Sequence, residues 1–242
     1  MNTIVTLKRY SQRFREEYRR RPVSELGHRI LSHLARKSFE TNTSCWFHLS
    51  LRDQFDLVKP KIPVQFGFMQ FDEAVRFFRQ NHHQFPWMYL EKEMQVAAEC
   101  GHRFPSFSVD KRVVAYLKVG VTKAYVLDFD EILHLPAGVA IYYDGFVAPE
   151  FRCKKLGSAI LSKTAQSLQQ EGFKAVFTQV ALWNIPSRTM NLLAGHKPVG
   201  QTRYIRLFGR RAIWNHPKNF PLRFEVNDRR EKELRLGIFP GS

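Results

Sequence analysis

The sequence predicts an α/β protein: a mixed, mostly antiparallel twisted sheet of six to seven strands with helices on both faces, plus an N-terminal helical extension. Three observations carry this. The apolar segments Phe107–Val109, Val113–Val119 and Val121–Phe129 follow one another with only short turns between them, the pattern of antiparallel neighbours. The strand–helix–strand unit over 138–182 requires a crossover, and so one parallel pair. The 242 residues, 44% apolar and 25% charged, suffice to bury a core without disulfide or metal staples.

Taken in order, residues 1–21 are polar and arginine-rich (Arg19-Arg20-Arg21) and read as a helix or an arm. Pro22 and Ser24 mark a helix start, and Leu26, Ile30, Leu31 and Leu34 follow at helical spacing. His28, Arg29, His33, Arg36 and Lys37 fall on the other side. Such a helix packs its leucines on its own domain or lies on an anionic membrane. Residues 41–61 are mixed, with Pro60 and Pro63 as punctuation. Residues 1–61 are therefore read as an extension, 62–214 as the main domain and 215–242 as a tail that wraps it.

Within the main domain, Ile62–Phe68 reads as a strand and Asp72–Asn81 as a helix with Ala74, Val75, Phe77 and Phe78 inward. Pro86–Cys100 reads as a second helix, started by Pro86 and stopped by Gly101. Asp110-Lys111 turns the chain between the next two strands, and Gly138–Val147 is a further strand. Leu156–Gln170 is a helix with Leu156, Ile160, Leu161, Ala165 and Leu168 inward. Ala175–Leu182 is a buried strand and Pro186–Ala194 a short helix closed by Gly195. Val199–Phe208 and Arg211–Trp214 are the last strands.

Lys and Arg number 38 against 22 Asp and Glu, a formal net charge of +16. Residues 151–214 hold 11 of the basic groups and only Glu171 as an acid; residues 41–150 hold 11 basic and 13 acidic groups. A field concentrated this way suits a polyanion, either a phosphate-rich cofactor or nucleic acid, and it also serves solubility. Cys45, Cys100 and Cys153 are odd in number and widely spaced, so neither a disulfide framework nor a CxxC zinc site is expected. No run reaches the about 18 uncharged apolar residues of a membrane span. No apolar segment follows the basic N-terminal residues as it does in a secretory signal, so the expectation is a cytoplasmic, reducing setting.

The sharpest chemical signal is Phe146-Val147-Ala148-Pro149-Glu150-Phe151-Arg152-Cys153-Lys154-Lys155-Leu156-Gly157-Ser158-Ala159. A strand runs into a turn and a helix begins at once. The first amides of that helix lack internal acceptors and lie at the positive end of its dipole. A diphosphate can take them if no bulky side chain intervenes. Gly157 allows close approach, Ser158 adds a hydroxyl, and Arg152, Lys154 and Lys155 supply counter-charge. The other reading is an ordinary strand–helix turn with solvated basic residues.

This stretch resembles the acetyl-CoA signature of the GCN5-related N-acetyltransferase (GNAT) superfamily: Pro-Glu-Phe/Tyr-Arg, then Arg/Gln-x-x-Gly-x-Gly/Ala opening a helix. Arg152 fills the first position and Gly157 the last. Lys155 replaces the middle glycine, and Cys153 stands where many members carry glycine. Downstream, Asn184-Ile185-Pro186-Ser187 and Leu192-Leu193-Ala194-Gly195-His196 are similar to the family's next helix and its closing Gly-Phe, with His196 in place of Phe. The resemblance covers about residues 62–214.

The resemblance implies the acyl-CoA N-acyltransferase fold, acetyl-CoA as co-substrate, no metal, and direct acetyl transfer to a primary amine on a small molecule or peptide. It implies that pantetheine meets the backbone of Phe146 and Val147, with the Val147 amide donating to the thioester carbonyl. The diphosphate would rest on the amides of Cys153, Lys154, Lys155, Leu156, Gly157 and Ser158 beside Arg152. Asn184 and Ser187 would meet the pantetheine arm or the adenosine. Asp144, two residues before Phe146 on the same strand, is the candidate base; the other reading makes it an ion pair with an arginine. The tyrosine with which many members protonate the leaving thiolate is matched by Asn191, which cannot do so. Tyr204, Tyr142 and Tyr143 are the substitutes, and solvent is the alternative.

Several other readings compete. Cys153 at a helix N-terminus beside lysines is a nucleophile candidate without a nearby histidine. His82, His83 and His102 lack partners at metal-ligand spacing. Phe85-Pro86-Trp87-Met88-Tyr89 either walls an acceptor site or packs. A basic module for nucleic acid or an anionic surface would use residues 8–21 and 197–211, with Arg203, Arg206, Arg210 and Arg211 as phosphate contacts. A CoA-binding protein without catalysis is a third reading. The N-terminal helix and the tail either make a homodimer or cover the sheet.

Overall fold

Asp110 and Lys111 both adopt left-handed backbone (φ 49° and 64°), and so join β3 (Phe104–Val109) to β4 (Arg112–Gly120) in a tight hairpin, as expected. The computed structural model describes residues 39–127, 129, 131–207, 210–217 and 222–225. The helix expected over 24–37 and the tail beyond residue 225 lie outside them. The remaining strands are β1 (Phe39–Ser50), β2 (Gln65–Met69), β5 (Lys123–Val126), β6 (Glu131–His134), β7 (Val139–Val147), β8 (Ala175–Ala181), β9 (Lys197–Leu207), β10 (Arg210–His216) and β11 (Arg223–Glu225). The helices are α1 (Phe71–Asn81), α2 (Glu91–Cys100), α3 (Leu156–Gln170) and α4 (Ile185–Leu193). The main sheet has the order β10-β9-β1-β8-β7-β4-β3-β2. Among the described residues its only parallel pair is β7–β8, the one the crossover requires. The fold is thus the mixed, mostly antiparallel sheet read from the sequence, with eight strands rather than six or seven.

α3 buries the five apolar residues assigned to it, each at most 2% exposed, against Val114, Leu117, Ala140 and Val176 of the sheet. Each is worth about 1.5–3 kcal/mol if large. α1 and α2 cover the other face, where Phe78, Met88 and Met94 pack on Phe104 and Tyr116. No helix among the described residues is long and apolar enough to cross a membrane.

Four elements differ from the sequence reading. First, residues 39–50, read as the end of an irregular extension, are the long strand β1 between β9 and β8. Its run Ser44–Phe47 is buried on both faces, so no alternation betrays it. Its polar residues are satisfied across the sheet: the Trp46 indole donates to Thr202 Oγ1 at 2.7 Å, and Gln179 donates to Ser44. Second, α2 begins at Glu91, not Pro86, because residues 85–88 form a separate turn that buries Trp87 and Met88. Gly101 does end it, in the left-handed conformation. Third, the segment from Val121 leaves the main sheet. A Cβ on Gly120 would sit 2.9 Å from that of Ala124, so the tight return of the chain there leaves no room for a side chain. β5 then pairs with β6, which the sequence reading missed, and β6 with β11, which it had assigned to the tail. Fourth, the first strand of the domain is shorter than expected, 65–69.

Burial pushes the rings of His102 and His196 down to about 4 from 6.5. Both are neutral in the folded chain, whereas unfolded rings take a proton below about 6.5. The unfolded state therefore binds more protons between pH 6.5 and 4, and stability is lost as pH falls through that window. The urea midpoint is expected to drop steadily across it. A His196→Phe variant should remove the order of 3 kcal/mol of that loss, one ring's share.

Candidate active site

The cavity starts where a ladder stops. β7 and β8 pair only from Val139–Ala175 to Tyr142–Thr178. Beyond that point Tyr143–Val147 and Gln179–Ala181 diverge, and a cavity of about 730 Å³ opens between them. The other edge of β7 stays paired with β4. The Ala148 amide donates to Val114 O at 2.8 Å, toward β4. Backbone groups alternate along a strand, so the amides of Val147 and Gly145 point the other way, into the gap. The same alternation turns the Phe146 amide toward β4. The Phe146 backbone, expected to meet pantetheine, therefore faces β4 rather than the gap, and its ring stacks 5.8 Å from Tyr116.

The gap ends on the first turn of α3. Cys153 and Lys155 adopt left-handed backbone (φ 62° and 61°), and Lys155 is the N-cap of α3. These are the two positions where this chain departs from the glycines of the resembling signature. The loop keeps the glycine-type conformation without glycine, at a cost of about 1–2 kcal/mol per residue. Leu156, Gly157 and Ser158 then present first-turn amides, which have no intrahelical acceptor. Arg152 and Lys155 line the cavity, and the Arg152 Nε donates to Val147 O at 3.3 Å. Lys154 does not line it; its ammonium lies over the Phe151 ring, 4.9 Å from the centroid. Gly157 faces α4 rather than open space: a Cβ there would lie 2.1 Å from Met190 Sδ.

At the other end a buried ion group borders the cavity. Lys118, fully buried, forms ion pairs with Glu93 and, at 3.2 Å, with Asp144 Oδ2, and donates to Met88 O at 2.8 Å. Tyr116 donates to the same Asp144 oxygen at 3.2 Å. Asp144 is thus ion-paired, but to a lysine of the neighbouring strand rather than to an arginine. A one-residue register shift between Lys118 and Val119 makes Tyr143 a bulge opposite them, and turns both Tyr143 and Asp144 into the cavity. The His102 Nε2–H donates to Lys123 O at 2.6 Å, which leaves Nδ1 to accept the Tyr143 hydroxyl at 3.0 Å. His102 is therefore engaged at both nitrogens. Tyr143 is pushed well above its usual 10 by burial, and then by Glu93 and Asp144, so it stays protonated.

Of the remaining sequence candidates, Asn184 caps α4, its Oδ1 accepting from the Ser187 amide at 3.2 Å, and both residues line the cavity. Asn191 is fully buried and donates to Ser187 O at 2.8 Å. Its Oδ1 and the Thr178 Oγ1 are buried atoms of cavity-lining residues with no hydrogen-bond partner among the described residues. Tyr204 is corrected: it is buried against Phe129 and Ile213 and does not line the cavity, so it cannot be the acid. Cys153 is exposed on the cavity rim. Side chains of Arg206, Arg210 and Arg211 lie outside the described set. Glu93, Lys118 and Tyr116 had been given no chemical role in the sequence, whereas Trp87 belongs to the stretch read as an acceptor wall or packing, and it lines the cavity. One signal was available: a lysine inside the apolar run Val113–Val119.

A model of the acetyltransferase (GNAT) family matches residues 68–190. Among solved structures, a GCN5-related N-acetyltransferase from Sphaerobacter thermophilus is 8% identical with a TM-score of 0.52, over 74% of this chain and 56% of that one. A Drosophila protein is 12% identical with a TM-score of 0.49, over 77% and 59%. A GNAT-family acetyltransferase from Colwellia psychrerythraea is 12% identical with a TM-score of 0.45, over 70% and 56%. The chain thus spans a little over half the length of these proteins. No curated protein matches the sequence. The first of the three shares the fold.

Proposed function

The chain belongs to the acetyltransferase (GNAT) family, and from that premise we propose that it moves an acetyl group from acetyl-CoA to a primary amine by direct attack in a ternary complex. The observation that carries this is the gap between β7 and β8, with the Val147 amide pointing into it and the first turn of α3 at its end. The buried oxygens of Thr178 and Asn191 fit a ligand that brings amide and hydroxyl donors, as pantetheine does.

Acetyl-CoA supplies an acyl thioester: an ammonium and the thioester yield an amide, a free thiol and one proton, the C–N bond forming as the C–S bond breaks. The Val147 N–H holds the carbonyl oxygen as it gains charge, a contribution of about 10²–10³-fold for one such donor. The amides of Leu156, Gly157 and Ser158, with Arg152 and Lys155, hold the diphosphate. Lys154 adds only field, and Asn184 and Ser187 line the path of the pantetheine arm. Asp144 takes the proton of the acceptor ammonium, directly or through water. The hydroxyls of Tyr116, Tyr142 and Tyr143 are donated to Asp144, Leu161 O and His102. Protonation of the leaving thiolate is therefore assigned to solvent.

Calorimetry tests this. The wild type is expected to bind acetyl-CoA with about micromolar affinity, roughly −8 kcal/mol, and to release thiol only when an amine is present. Gly157→Ala forces Met190 toward the cavity it lines and should weaken binding about tenfold, a 1.4 kcal/mol effect. Removing the obstacle with Met190→Ala in that background should restore it. A wild type that does not bind acetyl-CoA would overturn the reading.

A further inference from the structure

The outward face of α4 is apolar. Ile185, Thr189, Leu192 and Leu193 stand at the i, i+4, i+7 and i+8 spacing that puts side chains on one face of a helix. All four are exposed, the three large ones by 55%, 53% and 60%. Leu182 and Trp183, in the turn before the helix, are exposed as well. Five of the nine large apolar side chains exposed among the described residues therefore fall between residues 182 and 193. Exposed apolar residues scattered singly are ordinary on a protein surface, whereas a cluster on one face marks a contact. Trp183, Ile185 and Leu193 also form a lip of the cavity.

The charge around this face has one sign. No Asp or Glu occurs between residues 172 and 224. Arg188 lies on α4 itself, its guanidinium donating to Leu182 O at 3.0 Å. Lys197, which opens β9, is exposed. Arg203, also exposed, stands opposite Thr43, whose carbonyl accepts from the Leu182 amide at 2.8 Å. Arg152 and Lys155 line the same cavity from the α3 side. The nearest acids along the chain, Glu150 and Glu171, are paired with Arg112 and Arg103.

An apolar ridge ringed by cations suits an anionic lipid layer. The outward side chains of such a helix enter the acyl boundary while lysine and arginine meet the headgroups. Tryptophan favours the boundary between the two. A second copy would bring the same positive field against itself, and residues 1–40, with 10 basic and 4 acidic groups, would do likewise. Nucleic acid would answer the charge but leave the leucines in water. We propose that α4 docks the protein on an anionic lipid surface. Leu192, Leu193, Ile185 and Trp183 enter the lipid, and Lys197 and Arg203 lie against its phosphates. The docking does not depend on acetyl transfer, and it sets the cavity mouth at the lipid surface, because the lip is part of the inserted face.

The full chain is sedimented with vesicles of phosphatidylcholine alone and of phosphatidylcholine with about one-third phosphatidylglycerol. Binding to the anionic vesicles is expected to be at least about tenfold tighter than to the neutral ones, and to weaken as salt is raised. Leu192→Ser combined with Leu193→Ser should weaken it about tenfold or more. The urea midpoint of that variant should match the wild type, since both side chains are already exposed. No binding of the wild type to anionic vesicles, or equal binding to neutral ones, would overturn the proposal. So would binding that survives both leucine substitutions, which would place it on basic residues elsewhere. A lower urea midpoint in the double variant would show the face covered by the chain's own residues, and a wild-type dimer that the variant dissociates would show it covered by a second copy; either overturns lipid docking. Tighter binding to a DNA duplex than to the vesicles, indifferent to the leucines, would assign the positive field to nucleic acid instead.

Discussion

Lys118→Met is expected to destabilise the fold by about 3–5 kcal/mol, the cost of removing one partner from a buried ion pair. The methionine keeps the side-chain stem, so little packing against Phe78 is lost; what disappears is the ammonium between Glu93 and Asp144. The two carboxylates are then left buried without that ammonium, the Tyr116 hydroxyl still donating to Asp144. The change should appear as a lower urea midpoint with an unchanged slope. Glu93→Gln added to Lys118→Met removes one of the two like charges and should recover part of the loss. A single variant as stable as the wild type would mean that Lys118 is not the counter-ion of this group.

Asp144→Asn is expected to lower kcat by about 10²–10⁴-fold, the usual worth of a positioned base. Asparagine has the same shape and can still accept from Tyr116, and Lys118 retains Glu93, so the fold should tolerate it. Acetyl-CoA affinity should stay within about twofold, because binding and chemistry are served by different groups. In the proposed complex the diphosphate would lie at the α3 end and the thioester carbonyl against the Val147 amide, whereas Asp144 lines the cavity at the opposite end. Calorimetry and thiol release on the same preparation separate the two. Unchanged turnover would retire the base assignment; lost acetyl-CoA binding would show that the two ends of the cavity are not independent.

Much of the α3 end of the cavity was legible in the residues. The helix at Leu156, the parallel crossover around it, and the Asn184–Ser187 cap lie close together along the chain, and each announces itself through turn chemistry and helical spacing. Even the missing glycines at 153 and 155 did not hide the loop, since the basic cluster and the strand-to-helix turn remained. The end lined by Glu93, Tyr143 and Asp144 was not legible. Lys118 meets Glu93 across 25 residues and Asp144 across the β4–β7 ladder, and the bulge that aims Tyr143 and Asp144 is a property of that pairing. β1 was hidden for a related reason. A strand buried on both faces shows no alternation, and its serine and threonine residues look like a loop until their partners on β8 and β9 are known.

By itself, then, the chain's local pattern determined most of the elements that follow β1, the one crossover and the strand-to-helix turn that opens α3. These depend on dihedral preference, capping and spacing within about 10–15 residues. Only the tertiary structure decided which charges meet, which amides point into the gap, and that Tyr204 is core rather than catalytic. Those facts depend on register between strands far apart in the chain, where a shift of one residue turns a side chain to the opposite face.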